Sequence, residues 1–186
     1  SPSPNQVNAN HASQAIGTAP LRASSVTPPA IAVVGMSCEF PGAENAEAFW
    51  QVLSEGRDCI TDIPASRWDW QSLYGDAQTE ANKTKMNRAG FIDNIDKFDP
   101  LFFGISPTEA LVMDPQQRLL LTHVWQALED AAIAPSRLSG SKTALFFGTA
   151  SSGYDQRAIA RGMPVEGYTA TGMSPSLGPN RISFLL

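Results

Sequence analysis

The sequence predicts an α/β fold, and three observations carry that prediction. Two short, continuously apolar runs that close on glycine, Ile31-Ala-Val-Val-Gly-Met36 and Thr143-Ala-Leu-Phe-Phe-Gly-Thr149, have the pattern of strands buried on both faces of a parallel sheet. Between them lies a long amphipathic stretch, Asp114 to Ala132. Strand, long connection with helix, strand is a βαβ crossover.

Taken in order, Ser1 to Pro29 is rich in Ser, Pro, Asn, Ala and Thr and poor in large apolar residues. Such a segment cannot bury enough surface to offset the entropy of ordering, so residues 1–29 are read as a flexible interdomain linker. His11 lies within it as a solvated residue. The first run then turns at Gly35, but Ser37 and Phe40 stand where G-x-G-x-x-G requires glycine, which excludes a dinucleotide fingerprint. Cys38 has Glu39 beside it and no cationic neighbour, so it is read as a structural thiol.

Asn45 to Glu55 has the grammar of a helix: Asn45 caps it, Phe49, Trp50, Val52 and Leu53 supply an apolar face, and Gly56 ends it. Trp68 and Trp70 follow in an irregular segment, where anchoring a loop is the expected role. Gly75 to Arg88 reads as an exposed polar excursion. Gly90 to Phe103 alternates apolar and acidic residues, but Asp93, Asp96 and Asp99 do not fit a calcium loop.

Ser106-Pro-Thr-Glu109 starts a short helix, with a Ser cap, Pro first and Glu third. Asp114-Pro-Gln-Gln117 repeats that start for the long helix, with Gln117 placed to close a capping box. Gln117, Leu120, Leu121, Val124, Ala127, Leu128 and Ala131 form its mostly apolar stripe, with Arg118, Gln126, Glu129 and Asp130 off it. His123 has no second His or Cys at ligand spacing and is read as a packed or surface residue. Gly148 to Tyr154 is a run of small residues at the end of a parallel strand, where open α/β sheets place ligands. With no Lys in P-loop position, close backbone approach to a substrate chain is preferred, beside a plain strand-to-helix turn. No convincing catalytic set stands out.

Composition narrows the classes further. The 186 residues are 42% hydrophobic and 17% charged, ordinary globular material with room for a core. A net charge of −5 without a Lys/Arg cluster argues against a nucleic-acid surface. Cys38 and Cys59 are too few for a disulfide framework, which points to a reducing, cytoplasmic compartment. No apolar run is long enough for a membrane span.

Several motifs together resemble a known family. Ile31-Ala-Val-Val-Gly-Met-Ser-Cys-Glu-Phe-Pro-Gly42, Phe49-Trp50, Phe98-Asp-Pro-Leu-Phe-Phe-Gly-Ile-Ser-Pro107 and Met113-Asp-Pro-Gln-Gln-Arg-Leu119 resemble, in family order, the opening of a β-ketoacyl synthase of modular polyketide synthases. Ser176-Leu-Gly-Pro-Asn-Arg-Ile-Ser-Phe-Leu185 is also similar to the branch served by trans-acting acyltransferases.

The resemblance implies a thiolase-like layered α/β fold, of which residues 30–186 make the first half, and a homodimer. It implies decarboxylative Claisen condensation: a Cys thiolate takes the acyl chain, and two histidines assist decarboxylation of a malonyl-type extender. No cofactor is bound directly, because substrates arrive on the phosphopantetheine arm of an acyl carrier protein. Neither Cys38 nor Cys59 matches the family's nucleophile, and neither His11 nor His123 matches its catalytic pair. This chain alone is therefore expected to be inactive, with the remaining part of the domain as its partner. Ala150, Ser151 and Ser152 resemble the segment bordering the acyl pocket, and Thr171, Gly172 and Met173 one that approaches it near the dimer interface. The alternative is a non-catalytic ketosynthase-like scaffold or docking piece. A complete small α/β domain ending at Leu186 is not expected, since the last apolar run would expose core material.

Overall fold

The computed structural model describes residues 30–163, 165 and 167–186, so the expected linker and His11 lie outside the described residues. Val33–Leu186 forms one compact unit.

Helix starts follow the capping grammar. In α1 (Ala46–Glu55) the Asn45 side chain accepts from Ala48 N at 2.9 Å, and Gly56 ends the helix with φ 62°. In α2 (Pro107–Val112) Ser106 Oγ accepts from Glu109 N at 3.1 Å. In α3 (Pro115–Asp130) Asp114 Oδ1 accepts from Gln116 N at 2.8 Å. Each cap satisfies an amide that the first turn leaves unpaired. Three further helices follow: α4 (Tyr154–Ala160), α5 (Thr169–Met173) and α6 (Leu177–Leu185).

The expected parallel strands are not formed. Among the described residues the one sheet is an antiparallel pair, β1 (Ile60–Asp62) with β2 (Arg88–Gly90), Ile60 facing Gly90 and Asp62 facing Arg88. Neither 31–36 nor 143–149 joins a ladder. A strand exists only through its neighbour's amides and carbonyls, which an apolar run does not provide. Instead, Gly35 and Met36 are held by α3. Gly35 lies so close to that helix that a Cβ there would sit 2.7 Å from Ala131 Cβ. Met36 N donates to Asp130 Oδ2 at 2.8 Å. In the second run Leu145 and Phe147 pack on the core while Phe146 is 90% exposed. The alternation of a strand is present without its partner.

The excursion after Gly75 is more tied down than its polarity implied. Thr84 N donates to Leu73 O at 2.9 Å, Gly75 N to Thr84 O at 3.1 Å, and the segment ends as β2. Trp70 anchors the preceding loop, its Nε1 donating to Ile63 O at 3.1 Å.

Ile105, Met113, Leu121 and Ile182 form the buried core. The aromatic segment before α2 lines it: the Phe98 and Phe103 rings stack at 5.3 Å, and Phe102 meets Trp125 edge-on at 4.8 Å. Helix α6 packs along α3, and α5 along α2. The N-terminus of α3 is the junction of these pairs.

Candidate functional site

Gln117 stands on the apolar stripe of α3 but is only 2% exposed, so its amide needs buried partners. It does not close a capping box. Its Nε2 donates to the carbonyls of Gly172 and Ser174, each at 2.9 Å, with Thr171 O at 3.4 Å. Its Oε1 accepts from Arg181 Nε at 3.0 Å. The backbone amide of Asp114 also donates to Gly172 O, at 2.8 Å. The Gly172 carbonyl thus has both lone pairs engaged by the first turn of α3.

That geometry requires glycine at 172. A Cβ there would meet Val112 O at 2.6 Å, closer than any side chain tolerates. Gly172 is buried between α2 and α3, and Thr171 and Met173 flank it half-buried. Thr171 Oγ1 donates to Tyr168 O at 3.0 Å, which tightens α5.

The same helix start holds the second segment. Gln116 Nε2 donates to Ala150 O at 2.8 Å, and Ala150 N approaches Gln116 Oε1 at 3.4 Å, so the side-chain amide pairs with residue 150 as a neighbouring strand would. Ser152 Oγ donates to Asp114 Oδ2 and accepts from Tyr154 N at 3.1 Å. Its one proton is committed to the aspartate, which makes it a structural hydroxyl. Ser151 lies exposed between these two anchors.

Of the six residues singled out in the sequence, the structure bonds Ala150, Ser152, Thr171 and Gly172 to Asp114, Gln116 and Gln117, while Ser151 and Met173 stand next to Ser152 and Gly172 in the chain. The sequence marks Asp114, Gln116 and Gln117 as a helix start, with Gln117 also on the stripe, but not as supports of these segments. The signal was a polar residue, Gln117, inside an apolar stripe. Arg181 extends the network to Glu109 on α2, its Nη2 lying 2.6 Å from Glu109 Oε1 with both side chains mostly buried. Beyond that pair, an apolar groove of about 670 Å³ runs past Phe102, Tyr168, Leu177 and Phe184.

A second constellation was missed. His123 Nδ1 lies 2.7 Å from Ser37 Oγ, and its Nε2 lies 3.6 Å from Glu39 Oε2. Ser37 Oγ is also 2.8 Å from Gln126 Oε1. His123 thus has partners from the first apolar run, which sequence spacing could not place. Ser37 Oγ donates to Gln126 Oε1 and meets His123 Nδ1, so Ser37 acts as a clasp between residues 37–39 and α3. Cys38 and Cys59 are free and half-buried. No group of three His, Cys, Asp or Glu among the described residues is arranged to hold a metal ion, and no described helix is long and apolar enough to cross a membrane.

The chemistry this arrangement offers is positioning. Backbone segments 150–152 and 171–173 are fixed to one helix start, and no nucleophile and base are paired within them. A family profile described as β-ketoacyl synthase, N-terminal domain, matches residues 29–186. Polyketide synthase PksN of Bacillus subtilis is 52% identical over 163 residues, which are 88% of this chain and 3% of that protein. Mycoketide-CoA synthase of Mycobacterium tuberculosis is 42% identical over 171 residues, 91% of this chain and 4% of that protein. The chain thus spans a few hundredths of the length of these relatives. Among solved structures, an oxazolomycin ketosynthase domain of Streptomyces albus matches with TM-score 0.73 and 32% identity, covering 82% of this chain and 26% of that one. The ketosynthase from module 6 of the bacillaene synthase of Bacillus subtilis matches with TM-score 0.51 and 42% identity, over 57% of this chain and 18% of that one.

Proposed function

The chain belongs to the β-ketoacyl synthase family, as its N-terminal domain, with a thiolase-like layered α/β fold of which it makes the first half, and from that premise we propose that it is the substrate-positioning half of a polyketide-synthase ketosynthase. In this reading the complete domain joins an enzyme-bound acyl chain to a carrier-bound malonyl-type extender. Decarboxylation of the extender leaves a carbanion that attacks the acyl thioester. The new carbon–carbon bond forms as the cysteine thiolate leaves, and carbon dioxide is released. The nucleophilic Cys and the two His come from the remaining part of the domain, since Cys38, Cys59, His11 and His123 do not occupy those family positions. Substrates arrive on the phosphopantetheine arm of an acyl carrier protein, and the working unit is a homodimer.

The observation that carries this reading is the attachment of residues 150–152 and 171–173 to one helix start, through Asp114, Gln116 and Gln117. A pocket wall built from backbone held by side-chain amides presents a fixed surface to a flexible acyl chain. The apolar groove past Phe102 and Phe184, the latter 95% exposed, supports a further part of the domain as the partner.

The test is acylation of the synthase polypeptide that carries this chain, followed by intact-mass spectrometry with an acyl thioester donor. One added acyl group on that polypeptide, lost when a cysteine outside residues 30–186 is replaced, supports the enzyme. An unmodified polypeptide favours the non-catalytic scaffold.

A further inference from the structure

A second concave surface has a different chemistry from the apolar groove. It is a groove of about 880 Å³ between the 64–67 turn, the 91–100 segment, α2 and α4. Four arginines line it, Arg67, Arg118, Arg157 and Arg161, against two aspartates, Asp93 and Asp96. In a chain of net charge −5 this is a local reversal of sign. Among the described residues none of the four arginines forms an ion pair.

Their hydrogen bonds are few and go to backbone. Arg67 Nη2 donates to Ile92 O at 2.6 Å, Arg157 Nη1 to Arg67 O at 2.8 Å, and Arg118 Nη1 reaches Asp96 O at 3.4 Å. These bonds hold the forks in place while leaving most of their donors unspent. Arg118 Nε is buried with no hydrogen-bond partner, an exception among buried polar atoms that calls for an acceptor. Phe91 and Leu111 add apolar wall, and Tyr154, fixed by its hydroxyl to Leu111 O at 3.0 Å, closes one side.

We propose that this groove binds a small phosphate ester, its phosphate among the guanidinium groups of Arg67, Arg118, Arg157 and Arg161 and its organic part against Phe91 and Leu111. Arginine forks match phosphate oxygens two at a time, and several cations lining one groove suit a dianion. A concave wall of this size suits a small ligand rather than a flat protein surface. The groove adjoins the Asp114–Gln117 cluster through Pro115 and Tyr154, but binding in it does not depend on condensation activity.

The experiment is calorimetric titration of the synthase polypeptide that carries this chain with phenyl phosphate, inorganic phosphate and benzyl alcohol. Phenyl phosphate binds saturably and more tightly than inorganic phosphate, its affinity falls with added salt, and benzyl alcohol does not compete. Arg161→Gln, at the exposed end of α4, weakens phenyl phosphate about tenfold, and Arg118→Gln by about ten- to a hundredfold. Should Arg118→Gln fail to fold, Arg161→Gln decides alone. Absence of saturable binding to the parent chain overturns the proposal, as does an unchanged affinity in folded Arg161→Gln. Equal affinity for inorganic phosphate overturns the assignment of Phe91 and Leu111 to the organic part.

Discussion

The Gln117 side-chain amide lies 2.9 Å from the Gly172 carbonyl, joining the first turn of one helix to a glycine 55 residues later. The two residues face each other because Gly172, without a side chain, lets α5 approach Val112, and Gln117 then caps the exposed carbonyls of that approach.

Replacing Gln117 by Leu keeps the size and removes the amide. It leaves the Ser174 carbonyl and Arg181 Nε without their partner in a buried setting. The expected loss is about 2–4 kcal/mol, from more than one unsatisfied group. Chemical denaturation followed by tryptophan fluorescence measures it, with Trp125 in the core aromatic cluster as a reporter. A loss under about 0.5 kcal/mol, the level of a neutral surface change, contradicts the clamp.

Gly172→Ala tests the close approach itself. Its Cβ would stand 2.6 Å from Val112 O, so α5 must shift away from α2. The expected cost is about 1–3 kcal/mol, typical of forcing extra volume into a packed site. Gly56→Ala is the comparison, since nothing lies within 4 Å there and only its positive φ is strained.

The Glu109–Arg181 pair is an ion pair with its side chains 16% and 17% exposed. Glu109→Gln strands most of a buried positive charge and is expected to cost about 2–4 kcal/mol. Replacing both residues by Met recovers much of that loss. A double-mutant cycle by denaturation gives the coupling, and strict additivity of the two single changes contradicts the assignment.

Removing a cap costs less, and in a local way. Asn45→Ala and Ser106→Ala each leave one first-turn amide unpaired and are expected to lose about 1 kcal/mol, read by thermal unfolding. Asp114→Ala is expected to lose more, because its carboxylate also takes the Ser152 hydroxyl and ties down residues 150–152.

These contrasts show which parts of the fold were legible. Asn45, Ser106 and Asp114 were readable because a cap is a contact between residues two or three apart. The runs at 31–36 and 143–149 were not, because a ladder depends on a partner that local sequence does not specify. Phe146 facing outward between Leu145 and Phe147 shows the alternation that a continuous apolar run conceals. Ala150, Ser151 and Ser152 stood in the small-residue run 148–154, family resemblance added Thr171, Gly172 and Met173, and nothing local revealed the support of either segment. Gln117 and His123 act across 55 and 86 residues, so their partners Gly172 and Ser37 were out of reach of any local rule. A glutamine inside an apolar stripe was the one visible clue.

In the proposed function this half positions substrate while the nucleophile lies elsewhere in the domain. The most direct measurement is peptide mapping, by mass spectrometry, of the synthase polypeptide carrying this chain after incubation with an acyl thioester. The expected result is a single acylated cysteine outside residues 30–186, with Cys38 and Cys59 unmodified. Acylation at Cys38 or Cys59 would contradict it.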